Sequence, residues 1–95
     1  MEAPGEPLRL DVALHRLCLT RSRNEARTAC EAQAVTLDGR PAKPSDLVAA
    51  GRRIVIRYPR RTLEVELLAL PPRGTSRARA RELYRVVSDD QPADW

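Results

Sequence analysis

The chain has 95 residues with a net charge of +4, and only 3% of them are aromatic, with no Phe. This length suits one small domain and leaves no room for a catalytic domain beside it, so we expect no enzymatic activity. No apolar run approaches the roughly 20 residues that cross a membrane. Two cysteines and the single His15 do not complete a four-ligand zinc site, so neither a metal nor a cofactor is predicted.

Two short helices are predicted near the N-terminus, after a flexible arm over residues 1–8 that is rich in Pro and Glu. The first helix is predicted over residues 10–18 and the second over 22–33, where Ser22 and Glu25 match a capping box. A short link should pack them as an angled pair. Both cysteines, Cys18 and Cys30, fall on the predicted inward faces and are expected to be reduced and buried.

A small antiparallel sheet is predicted to follow the helices. Val35-Thr36-Leu37 forms a short strand before an Asp38-Gly39 turn, and residues 45–48 are predicted as a single helical turn. Residues 53–58 and 63–67 alternate between apolar and polar, which predicts two paired strands. Glu64 and Glu66 are expected to face Arg53 or Arg57.

The C-terminal part is predicted to be a linker, a short helix and an acidic tail over residues 71–95, so that the domain itself spans 9–70. Thr75 or Ser76 is expected to cap the helix, and residues 88–95 are expected to fray. We therefore expect the chain to fold without the segment after Leu70. The apolar side of this helix is predicted to consist of Ala80, Leu83, Tyr84 and Val87.

Positive charge is concentrated in the first two-thirds of the chain. Residues 9–61 carry a net charge of +7 and residues 62–95 a net charge of −1, and all but one of the basic residues are Arg. Arg forms planar, bidentate contacts with phosphate, so this distribution indicates a polyanion partner. An Arg-rich composition that reflects only a biased genome is the alternative.

The start of the second helix is the predicted centre of binding. Arg21, Arg23 and Arg27 crowd a helix end that is already positive, which indicates a phosphate partner. These arginines are expected to be exposed and unpaired, and Asp11 is expected to anchor the first helix or to hold Arg9 or a neighbouring Arg. Scarce aromatics favour contacts with a phosphate backbone over base stacking. The candidate residues for binding such a polyanion are Arg9, Arg16, Thr20, Arg21, Ser22, Arg23, Arg27, Lys43, Arg52 and Arg53.

Several short motifs, in this order and spacing, resemble the S4 RNA-binding domain, also called the alpha-L RNA-binding motif, over residues 9–56. The resemblance implies an α+β fold with two N-terminal helices packed on a small, mostly antiparallel sheet, here followed by a C-terminal helix. The chain departs from the family where Ala32 and Gln33 replace a usual Gly and where Arg52 replaces a usual Asp. The motifs are Arg9-Leu10-Asp11, Thr20-Arg21-Ser22, Val35-Thr36-Leu37-Asp38-Gly39, Lys43-Pro44-Ser45 and Ile54-Val55-Ile56.

Within this family, a stand-alone domain with a short basic tail is similar to the group of fifteen-kilodalton heat-shock proteins. That resemblance implies a cytoplasmic, ribosome-associated factor that binds structured RNA, chiefly ribosomal RNA of the large subunit, with transfer RNA as a further partner. We expect a monomer without a membrane partner. Two alternatives stay open: an accessory domain of an RNA-modifying enzyme or tRNA synthetase, and a protein-interaction adaptor that uses the tail helix. The charge distribution favours RNA over the adaptor.

Overall fold

The computed structural model describes residues 6–90, and three helices and seven strands lie within that range. The helices are α1 (Leu10–Arg16), α2 (Arg23–Glu31) and α3 (Arg77–Ala80). The strands are β1 (Leu8–Arg9), β2 (Val35–Leu37), β3 (Arg40–Pro41), β4 (Leu47–Val48), β5 (Arg53–Tyr58), β6 (Arg61–Leu67) and β7 (Tyr84–Asp90). No helix in the described range is long and apolar enough to span a bilayer.

The predicted cap of α2 is present. The Ser22 hydroxyl accepts a hydrogen bond from the Glu25 backbone N–H at 3.0 Å, and Glu25 Oε1 accepts one from the Arg21 N–H at 3.0 Å. The capping box is thus formed with one difference, because Glu25 reaches the residue before the cap rather than the cap itself. One of the four unsatisfied N–H groups at this helix start, that of Glu25, is therefore paired, as is the N–H of the residue before the cap.

The α1 helix ends earlier than predicted, at Arg16, and this corrects the placement of Cys18. The Leu19 N–H donates to the Leu14 carbonyl and the Cys18 N–H to the His15 carbonyl, both at 3.0 Å. Cys18 has a positive φ of 60°, so the helix closes with a Schellman motif. The left-handed turn leaves the Cys18 side chain exposed, and the prediction that it is buried is wrong.

The α2 helix ends in the same way. The Ala34 N–H donates to the Ala29 carbonyl at 2.9 Å and the Gln33 N–H to the Cys30 carbonyl at 3.0 Å. Gln33 has a φ of 60° and stands where S4 domains usually have Gly. The helix therefore ends in a left-handed residue although that residue is not Gly. Cys30 is buried, as predicted.

A five-stranded antiparallel sheet, in the order β3-β2-β5-β6-β7, packs in one core with α1 and α2. The strands β5 and β6 alternate as the sequence predicted, with Ile54 and Ile56 buried and Arg53 and Arg57 exposed. The β2–β3 turn uses positive φ angles at Asp38 and Gly39, as a tight hairpin requires. The sheet residues in the core are Val35, Leu37, Ile54, Ile56, Leu63, Val65 and Leu67.

A second, two-stranded sheet corrects two predictions. Leu8 pairs with Val48 and Arg9 with Leu47, so residues 45–48 do not form a helical turn. The pairing buries Val48 completely, which a solvent-facing helical turn would not do. Leu8 therefore belongs to the fold rather than to the predicted arm, of which residues 1–5 lie outside the described residues.

The C-terminal segment contains the predicted helix only in short form. The Ser76 hydroxyl accepts from the Arg79 N–H at 3.1 Å and caps α3, which ends at Ala80. The chain then adds β7 along the outer edge of β6, so the helix predicted to extend to Val87 is wrong. Pairing satisfies the backbone groups that β6 would otherwise expose. Of the tail expected to fray, residues 88–90 belong to β7 and 91–95 lie outside the described residues.

Candidate nucleic-acid interface

A buried carboxylate joins the starts of α1 and α2. The Asp11 side chain is only 2% exposed, and its two oxygens accept from Arg9 Nε at 3.2 Å and from Arg9 Nη2 at 3.1 Å. Its Oδ2 also accepts from Arg23 Nε at 3.3 Å, and its Oδ1 from the Val12 N–H at 2.8 Å. The prediction that Asp11 holds Arg9 or a neighbouring Arg is confirmed, and it holds both.

The electrostatics of this group favour its charged form. Burial raises the pKa of Asp11, but the hydrogen bonds and the positive charges of Arg9 and Arg23 outweigh burial and hold that pKa below its usual value. The carboxylate is therefore ionised at neutral pH. Arg9 and Arg23 remain about half exposed, at 45% and 54%, so each is fixed in place while its outer edge stays accessible to a ligand.

The loop that carries Lys43 is tied to the same place. The Leu10 N–H donates to the Asp46 carbonyl at 2.7 Å, and the Asp11 N–H to the Pro44 carbonyl at 3.1 Å. The Lys43 N–H donates to Asp46 Oδ2 at 2.8 Å, which closes the loop and leaves the Lys43 side chain exposed. The fold thus brings Lys43 to the start of α1, beside Arg9.

The remaining arginines of α2 differ in how they are held. Arg27 Nη2 donates to Asn24 Oδ1 at 3.0 Å, whereas the Arg21 guanidinium has no partner among the described residues. The expectation that all three arginines lack an acidic partner is wrong for Arg23, which Asp11 holds, whereas Arg27 bonds a neutral side chain. We call Arg9, Arg21, Arg23, Arg27 and Lys43 the α1–α2 basic face.

Two of the predicted site residues shape this face from within. The Thr20 side chain is buried, and its hydroxyl donates to the Ser22 carbonyl at 2.9 Å. The Ser22 hydroxyl is already occupied as the cap of α2. Both side chains fix the link between the helices, and that link sets the positions of Arg21 and Arg23.

Three further predicted site residues lie apart from this face. Arg16 Nη1 donates to the Pro71 carbonyl at 3.2 Å and so ties α1 to the segment after β6. Arg52 pairs with Asp38, and Arg53 Nη1 lies 3.3 Å from Glu64 Oε2, which confirms one of the expected pairs on the sheet. The backbone hydrogen bond from Arg53 lowers the pKa of Asp38, and Arg52 adds to this against the effect of burial. Arg52 and Arg53 thus lie beside the β2–β3 turn with their charges partly neutralised.

Arg40 was not among the predicted site residues, and its side chain is exposed at the β2–β3 turn without a partner in the described range. Its place directly after the Asp38-Gly39 turn is the signal that would have singled it out. Arg57 has a structural role, because its Nη2 donates to the Gln33 carbonyl at 2.7 Å and closes the end of α2. No group of three or more His, Cys, Asp or Glu side chains that would suit a metal ion occurs in residues 6–90.

The α1–α2 basic face falls wholly inside a segment that matches a known family. A family model for the S4 domain matches residues 8–54. Residues 8–54 belong to the S4 domain family. The S4 domain indicates RNA as a partner, and the matched segment includes α1, α2 and the Asp11 cluster.

The likeness extends beyond the S4 domain. The solved structure of Vibrio cholerae Heat Shock Protein 15, described as trimeric, is similar with a TM-score of 0.81 and 28% sequence identity. The similarity covers 87% of this chain and 84% of that chain. It confirms the predicted α+β architecture of the S4 type. A comparison with curated proteins found no match.

Proposed function

We propose that this protein binds structured ribosomal RNA of the large subunit through the α1–α2 basic face, as a ribosome-associated factor of the heat-shock or recycling type, with transfer RNA as a further partner. The observation that carries the proposal is the buried Asp11 carboxylate, which holds the guanidinium groups of Arg9 and Arg23 side by side on two different elements. An ordinary solvated surface needs no buried acid beneath its arginines.

The geometry suits recognition of the RNA backbone. A long side chain that is already fixed loses less conformational entropy when it meets a ligand, and a guanidinium matches two phosphate oxygens at once. Each phosphate contact also releases counterions, so affinity should fall steeply with salt. Phosphate contacts fix position without reading sequence, which agrees with the scarcity of aromatic residues. The function is therefore binding rather than catalysis.

Two observations support the large subunit as the target. The S4 match spans residues 8–54, just under half of the chain, and the likeness to Heat Shock Protein 15 spans most of both chains. The group of fifteen-kilodalton heat-shock proteins implies free large subunits in the cytoplasm as the binding partner. The expected monomer has no support from this neighbour, whose structure is trimeric, and sedimentation with and without RNA would determine the assembly.

The proposal is tested by binding to purified large and small ribosomal subunits over a series of salt concentrations. Arg21→Gln with Arg27→Gln removes two charges from the α1–α2 basic face, and Arg79→Gln with Arg85→Gln is the matched control. The control arginines lie on the C-terminal segment, where they are exposed. Arg79 pairs with Glu82, and Arg85 pairs with Glu66 of β6. We expect the wild-type protein to bind the large subunit more tightly than the small subunit.

In the same experiment, the face variant should lower the log–log salt slope by roughly 1.4–1.8, while the control keeps the wild-type slope. An unchanged salt slope in the face variant would show that Arg21 and Arg27 do not contact RNA phosphates. Equal binding to both subunits would leave RNA binding in place and overturn the choice of the large subunit.

A further inference from the structure

A cleft of about 630 Å³ lies between the α1–α2 link, the β5–β6 hairpin and the C-terminal segment. Its volume is within the range of small-molecule sites, roughly 300–1,000 Å³. Most of its walls lie outside the matched S4 segment of residues 8–54, so this cleft is separate from the α1–α2 basic face. The residues that carry the argument are Tyr58, Arg61, Arg77, Arg81, Tyr84 and Val86.

The cleft is positive. No carboxylate is among the described residues that line it. Arg61 is held by Asp89 through two hydrogen bonds of 2.8 and 3.0 Å, but neither the Arg77 nor the Arg81 side chain has a hydrogen bond or ion pair within residues 6–90. Two exposed guanidinium groups that have no ion-pair partner among the described residues favour an anionic ligand, and Arg is well suited to phosphate.

The same cleft presents flat apolar surface beside those charges. The Tyr58 hydroxyl donates to the Leu19 carbonyl at 2.6 Å, which fixes the ring, and the Arg61 guanidinium lies 5.8 Å from the centre of that ring. Tyr84 is half-buried against the core, and Val86 is 49% exposed. Aromatic rings next to arginines are the combination on which unpaired bases stack.

A second cleft of about 660 Å³ connects this site to the start of α2. Both clefts are lined by Cys18, Leu19, Tyr58 and Arg77, and the second one extends to Arg21. An RNA strand that leaves the α1–α2 basic face therefore has a continuous concave path to the C-terminal segment.

We propose that the first cleft binds one unstacked nucleotide of the bound RNA, with its base on Tyr84 and its phosphate on Arg77 and Arg81. The proposal deepens the proposed function and rests on it for the source of the nucleotide. The cleft itself is testable without any structured RNA, since a free nucleotide carries the same base and phosphate.

The first experiment titrates the full chain with adenosine 5′-monophosphate, inorganic phosphate or an oligoglutamate peptide and follows the Tyr ring signals by NMR. We expect the nucleotide to shift the Tyr84 signals in a saturable way, and phosphate and peptide to shift them far less. Arg77→Gln with Arg81→Gln should abolish saturation, whereas Arg79→Gln with Arg85→Gln, in the same C-terminal segment but outside the cleft, should retain it. Equal shifts with the peptide would overturn the nucleotide assignment in favour of an acidic protein partner.

The second experiment compares a blunt RNA hairpin with the same hairpin carrying a short single-stranded uridine tail. The tail should tighten binding by roughly tenfold in the wild type, and Tyr84→Leu or the Arg77/Arg81 variant should remove that gain without changing affinity for the blunt hairpin. No gain from the tail, or a gain that survives in both variants, would overturn the proposal. If neither hairpin binds while the nucleotide still shifts the Tyr84 signals, the proposed function is rejected, but the cleft still binds a nucleotide.

Discussion

Arg23 Nε lies 3.3 Å from Oδ2 of Asp11, a residue twelve positions earlier in the chain. This contact joins the first turn of α2 to the first turn of α1, and Arg9 completes it from the other side of the carboxylate. Since the acid is buried and both arginines are half exposed, the pair acts as an internal support for an outward-facing basic surface. Stability and RNA binding should therefore depend on the same carboxylate.

The Asp11 cluster predicts an acid-dependent loss of stability. Because its pKa is lower in the folded chain than the ordinary 3.8, the ionised carboxylate contributes its full stabilisation from about pH 5 upward. That contribution is lost as the pH falls through the lowered folded-state value. Denaturant midpoints measured between about pH 6 and pH 2 should thus show wild type and Asp11→Asn converging at the acid end. A constant difference down to pH 2 would contradict this linkage.

Gln33 should be a site where glycine stabilises the fold. Its φ of 60° is a left-handed conformation that costs a side-chain-bearing residue about 1 kcal/mol or more, and glycine adopts it freely. Because the Arg57 contact to Gln33 uses the backbone carbonyl, it survives the change. Gln33→Gly should raise the free energy of unfolding by roughly 0.5–1 kcal/mol in a denaturant titration. A lower value than in wild type would indicate that the Gln33 side chain contributes more than its backbone strain costs.

The two thiols should react at very different rates. Cys18 is exposed, whereas burial, with the nearby charges of Asp11, Asp46 and Glu31, raises the pKa of Cys30 to about 11. A thiol reagent added to the native chain should label Cys18 at once and Cys30 only on unfolding. Mass mapping of the labelled peptides identifies the residue. Rapid labelling of Cys30 in the native chain would contradict its burial.

Truncation after Leu70 should destabilise the protein, contrary to the expectation from sequence. The truncation removes Leu83, which is 4% exposed in the core, and uncovers the whole outer edge of β6. A buried Leu contributes roughly 1.5–3 kcal/mol by burial alone, and an open strand edge promotes aggregation. We expect a broad or absent melting transition and increased aggregation. A sharp transition near the wild-type temperature would instead establish the segment as an addition to a self-sufficient domain.

Local signals were enough to predict much of this fold. The cap at Ser22, the Asp38-Gly39 turn and the alternation of residues 53–58 each encode their structure in a few neighbouring residues. By contrast, β1 and β4 are two residues long and acquire strand geometry only from each other. In the C-terminal segment, helical spacing of Ala80 and Leu83 competed with long-range pairing to β6, and pairing determined the outcome.

The site shows the same division. Clustered arginines and the S4 motifs indicated α2 from sequence, and Asp11 was expected to hold a nearby Arg. That Arg23 is one of its partners depends on how α1 and α2 cross, which no local pattern encodes. The placement of Tyr84 beside Arg77 and Arg81 likewise depends on where β7 docks.

The most direct test of the central claim is the affinity of Asp11→Asn for structured large-subunit ribosomal RNA, compared with Glu31→Gln. Both changes remove one negative charge near α2, but Glu31 is exposed and holds no arginine in the described structure. If net charge alone determined affinity, both variants would bind RNA at least as tightly as wild type.

Because Asp11 orders two arginines, and ordering each costs roughly 0.5–1.5 kcal/mol, Asp11→Asn should bind at least about fivefold more weakly. Circular dichroism at the same temperature verifies that the variant is folded, and Glu31→Gln should match or exceed wild type. Folded Asp11→Asn that binds as tightly as Glu31→Gln would contradict the claim that the buried carboxylate organises the RNA-binding face.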